Sequence, residues 1–177
     1  MISISEITSS DVGHRLDYRF KSDSGFLVGM GVDVSRLPDR ESFGKMLENQ
    51  IQAGYTEKKA YALIWLIDGQ PVGHSNLNPI VFGDHAWMHL HMWDAQNRKK
   101  GLGEQFIRLC LPVYFRNFNL QTLYCEPYAL NPAPHKVIER TGFVFEKEYI
   151  TVPGSINFEQ PVKRWVMTRQ HLEELYT

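Results

Sequence analysis

Apolar positions recur along this chain first with a period of two, then of three to four, and the switches between the two periods predict its elements. Ile2 to Ile7 alternates apolar and polar residues as a half-buried strand does, and Ser9-Ser10-Asp11 then offers N-cap oxygens for a helix running toward Phe20. A loop with Gly25, Gly29 and Gly31 follows. Phe43, Met46, Leu47 and Ile51 recur at helical spacing, which predicts a second helix from about Asp39. Ala60 to Ile67 is a nearly continuous β-prone run, Asp68-Gly69 is a hairpin signal, and Pro71 to Leu77 reads as the returning strand. Past a turn at Phe82-Gly83-Asp84, Trp87, His89, His91 and Trp93 alternate with Ala86, Met88, Leu90 and Met92. That strand has one aliphatic face and one face of aromatics and imidazoles. A helix is predicted from Gly103 through Arg116, with Phe106, Leu109, Cys110 and Val113 on a common side and Pro112 kinking or shortening it. Leu120 to Cys125 reads as a strand, Pro134 to Arg140 as a short helix, and Phe143 to Ile150 and Lys163 to Thr168 as the last two strands.

The succession is mixed α/β, and no repeat, low-complexity tract or linker divides it. At 177 residues the chain suits one domain able to enclose its own core. Its 43% hydrophobic, 22% charged and 12% aromatic residues are those of a soluble globular protein. A net charge of −1 gives no global basic field, which argues against nucleic acid and anionic membrane as partners and requires any anion site to be local. The amino terminus has neither the basic nor the apolar region of a secretory signal, and the longest apolar run, ALIWLI, is too short to cross a bilayer. A cytoplasmic protein is expected. Cys110 and Cys125 fall in a helix and a strand with no metal-ligand spacing, so both are expected to be buried thiols, with no metal site.

Such a local anion site is legible in NRKKGLGEQFI, residues 97 to 107. A helix N-terminus leaves N–H groups unpaired and carries partial positive charge, and glycines there remove the Cβ that would hold an anion away. Gly101 and Gly103 meet that need, while Arg98, Lys99 and Lys100 add full charges suited to a diphosphate. The same residues also read as a solvated turn with a glycine in its left-handed position. The P-loop pattern and the dinucleotide fingerprint both fail, the latter because Phe106 stands where a third glycine is required.

Arg98-Lys99-Lys100-Gly101-Leu102-Gly103 fits, position by position, an Arg/Gln-x-x-Gly-x-Gly/Ala signature between a fourth strand and its following helix, and in this the chain resembles the GCN5-related N-acetyltransferases (GNAT). Asn131, Lys136-Val137-Ile138-Glu139-Arg140 and Gly142-Phe143 are similar to a second block of that family, in the branch that acetylates ribosomal-protein N-termini. The resemblance runs from about Tyr61 to Tyr149 and is faint over the first 55 residues. It implies a single α/β domain with a central mixed, mostly antiparallel sheet of about seven strands flanked by helices, strands four and five splayed. Residues 1–59 would form a variable acceptor-side region, 60–150 the acetyl-coenzyme A-binding core, and 151–177 a C-terminal strand and tail.

It further implies an acetyl-coenzyme A-dependent N-acetyltransferase in which a primary amine attacks the thioester directly in a ternary complex. His91, Met92 and Trp93 would give backbone groups to the pantetheine arm, Lys99 to Glu104 (Lys99, Lys100, Gly101, Leu102, Gly103, Glu104) with Arg98 would wrap the diphosphate, and Asn131 and Lys136 would contact the cofactor from the second block. A homodimer is compatible with the family. The reaction needs an unprotonated amine, a donor facing the oxyanion and a proton for the thiolate. The oxyanion donor is expected near Met92. His89 is the first candidate base, since an imidazole needs little tuning to work near neutral pH, although it also reads as a half-buried strand histidine held by a hydrogen bond. Glu126, five residues before Asn131, is the second. For the acid the sequence departs from its relatives: Ile138 stands where many have tyrosine, and Pro134 where another branch has serine. Tyr128, His135 or water remain. The missing acid positions keep open a non-catalytic acyl-coenzyme A binding or sensing module, and the acceptor itself (small amine, protein N-terminus or lysine) is not encoded legibly.

Overall fold

Residues 1–98 and 100–176 are described by the computed structural model. Asp68 and Gly69 both take positive φ (49° and 78°), as a tight two-residue hairpin turn requires, and thereby fix the register of strands β2 (Tyr61–Ile67) and β3 (Gln70–Val81). Ile67 faces Gln70, and after a bulge at Trp65/Leu66 the pairing runs to Tyr61 opposite Leu77. Strand β1 (Ile2–Glu6) adds on the far side of β2, and β4 (His85–Met92) on the far side of β3, both antiparallel. The sheet continues through β5 (Thr122–Cys125), parallel to β4, then β7 (Gln160–Thr168) and β6 (Val144–Thr151), in the order β1-β2-β3-β4-β5-β7-β6.

One face of the sheet is covered by helix α4 (Leu102–Phe118). Its seam of Phe106, Ile107, Cys110, Leu111, Tyr114, Phe115 and Phe118 is buried against Tyr61, Leu63, Trp65, Leu77, Met88, Leu123 and Met167. Phe106 stacks flat on Trp65 with ring centroids 5.0 Å apart. Cys110 and Cys125 are both buried free thiols. Helices α1 (Val12–Lys21), α2 (Ser24–Gly29) and α3 (Arg40–Gln52) lie on the opposite side, as Tyr18 of α1 shows by meeting the rings of His74 and His91. Helices α5 (Pro132–Arg140) and α6 (Arg169–Tyr176) complete the chain. Among the described residues no helix is long and apolar enough to cross a membrane.

The β4–β5 ladder is short. It pairs His85, Ala86 and Trp87 with Thr122, Leu123 and Tyr124 and then ends, while β4 runs on to Met92. The cause lies in the next residues of β5. Cys125 spends its thiol on the Met88 carbonyl (3.1 Å), and Pro127, two positions later, has no N–H to extend a ladder. From there the backbone keeps company with β7: Lys163 N–H donates to the Pro127 carbonyl and Ala129 N–H to that of Pro161. The two strands therefore part, and the gap between them is the space a ligand can enter.

Several boundaries differ from the sequence expectation for identifiable reasons. Strand β3 extends past Leu77 to Val81, because an irregularity between Leu77 and Ile80 absorbs Asn78-Pro79 and returns Ile80 to pair with Ala86. Helix α4 neither stops nor shortens at Pro112 but continues to Phe118, its buried seam outweighing one lost backbone bond. Leu109, expected on that seam, is 43% exposed. Helix α2 falls in the predicted glycine loop; six residues are too few to display a period, and it is held by Asp23, whose carboxylate accepts from Phe26 N–H. Helix α6 was not anticipated either, with Leu172 its one buried side chain.

Replacing Phe106 with alanine should therefore cost about 3–5 kcal/mol, whereas Leu109→Ala should stay within about 0.5 kcal/mol, as measured by chemical denaturation. Equal losses at the two positions would contradict this assignment of the seam.

Candidate active site

Where β4 and β5 part, a cleft of about 540 Å³ opens, walled by Leu90, His91 and Met92 on one side and by Asn131, Pro134, Lys136 and Val137 on the other. The start of α4, Gly101 to Glu104, closes one end, and Tyr18, Phe26 and Met30 cover it from α1, α2 and the turn beyond.

Backbone alternation decides which groups of β4 face this cleft. Trp93 N–H donates to the Val72 carbonyl (3.0 Å), and the His91 carbonyl lies so close to Gly73 that a Cβ there would approach it to 2.6 Å. The backbones of His91 and Trp93 are thus turned to β3, and those of Leu90 and Met92 to the cleft. Of the three residues expected to offer backbone groups there, only Met92 does so. Its N–H is joined by that of Leu90, which the sequence reading did not name although the alternation implied it. The Met92 carbonyl is already taken by Arg98, through Nη2 at 3.0 Å and Nε at 3.3 Å. His91 still lines the cleft, its ring packed against His74 and Tyr18.

At the head of α4, Gly101 is the N-cap in a left-handed conformation (φ 73°), with no side chain capping the helix. The N–H groups of Leu102, Gly103 and Glu104 are left to whatever occupies the cleft. The two glycines serve different ends, and that of Gly101 is the left-handed turn position that the sequence also offered. A Cβ on Gly101 would meet nothing within 4 Å, so what needs glycine there is the backbone angle; on Gly103 it would press to 3.3 Å from Val137, so that glycine admits α5. Arg98 is not a free cation: besides holding Met92 it lies over the Phe26 ring at 4.3 Å. Lys100 is exposed, Glu104 pairs with Arg108 at 3.2 Å, and Lys99 lies outside the described residues. Asn131 caps α5 without a side-chain cap bond, which leaves its amide to the cleft it lines.

On the sheet face away from α4, His74 and His91 stack at 4.6 Å. Trp93 Nε1 donates to His74 Nδ1 (2.7 Å), and the Tyr18 hydroxyl lies 3.3 Å from His91 Nδ1. His74 is 2% exposed and its Nε2 has no partner. Burial holds both imidazoles well below their ordinary 6.5, helped at His74 by the charges of Arg15 and then His91, and at His91 by that of Arg19 and then His89. His89 is open to solvent, but its Nε2 must donate to the Asn78 carbonyl (3.0 Å), so Nδ1 carries the lone pair. The protein crowding its ring lowers its pKa, partly opposed by the Asn78 contact. An imidazole so shifted is neutral at pH 7 and ready to accept a proton.

Glu126 stands within electrostatic reach of His89, yet its carboxylate, 8% exposed, is paired with Arg164 Nε and accepts from the Tyr149 hydroxyl at 2.6 Å. Tyr128 sits edge-on to Phe158 and outside the walls of the cleft; its carbonyl accepts from His135 Nε2 (3.1 Å) while His135 Nδ1 accepts from Trp165 Nε1 (3.1 Å), so both nitrogens of that imidazole are engaged. Ile138 is fully buried. The structure thus gathers Met92, Arg98, Gly101 to Glu104, Asn131 and Lys136 around one cleft, whereas His89, Glu126 and Tyr128 are not among the residues that wall it. The lining from Tyr18, Phe26 and Met30 escaped sequence reasoning, because the chain there carries no motif.

A sequence profile described as an acetyltransferase (GNAT) domain matches residues 5–144. No curated protein sequence gives a significant match. Among solved structures, the aminoglycoside acetyltransferase AAC(6')-Ib in complex with coenzyme A superposes with a TM-score of 0.76 at 14% identity, covering 100% of both chains. The spermidine N-acetyltransferase from Vibrio cholerae in complex with coenzyme A and spermine gives 0.78 at 15%, covering 97% of this chain and 98% of that one. RimL, a ribosomal alpha-N-protein acetyltransferase in complex with coenzyme A, gives 0.75 at 15%, covering 94% and 93%. At these identities the likeness is one of fold.

Because the folded pKa values of His74 and His91 lie below 6.5, the unfolded chain takes up protons first as pH falls. Their contribution to stability is complete above about pH 6.5 and declines below it, by at most about 1.4 kcal/mol per pH unit for each histidine. The thermal midpoint should fall between pH 7.5 and pH 5, with a shallower slope in His74→Asn. A slope unchanged by that substitution would show that His74 is not buried neutral.

Proposed function

The chain belongs to the GNAT acetyltransferase family, and on that premise we propose that it is an acetyl-coenzyme A-dependent N-acetyltransferase acting on a primary amine by direct attack in a ternary complex. The observation that carries the proposal is the cleft between β4 and β5, with unpaired amides along one wall and an uncapped helix start at its end. Acetyl-coenzyme A supplies the activated acetyl group. The first-turn amides of α4 hold the diphosphate, with Lys136 on the opposite wall and the exposed Lys100 adding charge. Leu90 and Met92 amides pair with the pantetheine arm, and the Met92 N–H is the oxyanion donor. Asn131 adds its free amide.

His89 Nδ1 takes the proton from the attacking amine. It is favoured over Glu126 because the carboxylate is already satisfied by Arg164 and Tyr149. For the thiolate, Ile138 and Pro134 have nothing to give and His135 has both nitrogens engaged, which leaves the Tyr128 hydroxyl or water. Within the family, the block around Asn131 to Phe143 favours the branch acting on ribosomal-protein N-termini. Ile138 and Pro134 at the family's two acid positions also favour a sensing module.

Calorimetry with acetyl-coenzyme A and thiol release across a panel of amines separate the two readings. Binding with amine-dependent release is expected; binding with no release on any amine would favour the sensor. In the enzyme, kcat/KM should decline on the acid side with a midpoint below 6.5. His89→Gln should cost roughly a hundredfold near pH 7 and less at high pH. An unchanged profile would remove His89 from the mechanism.

A further inference from the structure

Beside His89, beneath the helices that cover the β3–β4 face, two arginines lie with no carboxylate to meet them. Arg15 of α1 is 9% exposed and its Nε has no hydrogen-bond partner. Arg19, one turn later and half-buried, makes neither an ion pair nor a hydrogen bond among the described residues. Their guanidinium groups flank the same ring, that of Phe43 on α3, at 6.0 and 5.8 Å. Both charges bear on His74, His89 and His91, and burial together with Arg19 draws the Arg15 pKa down to about 10. The other cations of this region are matched: Lys21 and Arg40 share Asp17 at 2.8 and 2.7 Å.

The carboxylates that face this region are spent elsewhere. Glu126 is held by Arg164 and Tyr149, and Glu6, in the small hollow next to Arg15, binds Tyr55 and Asn117. His74 Nε2 is a second buried polar atom in the same place without a hydrogen-bond partner among the described residues. Unpaired cationic groups withdrawn from water are costly unless something neutralises them, and a guanidinium fork is shaped for a carboxylate or phosphate. His89, on which both arginine charges bear, is itself exposed.

We propose that the amine acceptor also carries an anionic group, carboxylate or phosphate, which Arg19 and Arg15 receive while His89 faces the amine. The inference rests on the acetyltransferase reading above and narrows its substrate class. Polycationic amines, such as the spermine bound by one of the structural neighbours, would bring further positive charge to a face that already lacks negative charge.

The test compares thiol release from acetyl-coenzyme A with amino acids of differing amine-to-carboxylate spacing, the amide of each, phosphoethanolamine and spermidine, using the intact protein and Arg19→Gln and Arg19→Lys. At least one anionic amine should exceed its neutral amide about tenfold in kcat/KM, as one charged hydrogen bond provides, with spermidine poorest. A rate highest for phosphoethanolamine would identify phosphate, and highest for an amino acid, carboxylate. Arg19→Gln should raise KM for the anionic acceptor about tenfold, leave the amide and the acetyl-coenzyme A affinity unchanged, and be partly rescued in Arg19→Lys. Spermidine or the amides turned over as well as the anionic amines, or an Arg19→Gln effect equal for all acceptors, would overturn the assignment while leaving acetyl transfer intact. Bound acetyl-coenzyme A with release from no acceptor would instead overturn the catalytic reading and this inference with it.

Discussion

Everything at the cleft depends on β4 losing its neighbour after Trp87. A strand inside a folded protein that still has amide groups to pair is incomplete, since buried backbone donors and acceptors nearly always find partners. Here the pairing with β5 cannot continue, because Pro127 has no N–H and the chain around it is already bonded to β7. The Leu90 and Met92 amides are left as a short strand edge facing a cavity. On the proposed function, an extended ligand bearing amides of its own, such as a pantetheine arm, would complete that edge in the way a fifth strand would. The cleft is thus less a hole in the packing than a sheet interrupted at one position.

The same interruption organises the ends of the site. Arg98, the first residue of the signature, occupies the Met92 carbonyl and stacks on Phe26, so it ties the open end of β4 both to the turn before α4 and to the covering helix α2. Gly101 then brings the α4 amides to the cleft mouth, and Gly103 lets α5 approach through Val137. On the opposite sheet face the burden is electrostatic. His74 and His91 share a partly dehydrated region with two arginines, and burial keeps these two imidazoles neutral so that the arginines hold the charge there at neutral pH.

Much of this was legible in the chain. Period-two runs and Asp68-Gly69 placed the antiparallel half of the sheet, and the alternation from Ala86 to Trp93 put His89 and His91 on a face apart from the aliphatic one that packs on α4. The head of α4 could be read from Gly101 and Gly103, and the left-handed turn was among the readings of Gly101, but the reason for Gly103 was not, because an approaching valine is a tertiary fact. The backbone direction of His91 and Trp93 was misread because it depends on which neighbour each residue bonds. Arg15 and Arg19 carry no motif in the sequence; only their place beside the histidines of the β3–β4 face gives them meaning. Helix α2 was hidden in a glycine-rich loop, and with it Phe26 and the cover of the cleft.

The most direct measurement of the central claim is residue-resolved amide hydrogen exchange with and without saturating coenzyme A. Slowed exchange at Leu90 and Met92 of β4 and at Leu102 to Glu104 of α4, with little change at His91 and Trp93, is what an edge completed by the ligand predicts. Binding accompanied by no added protection at those five amides would place the ligand elsewhere and contradict the account.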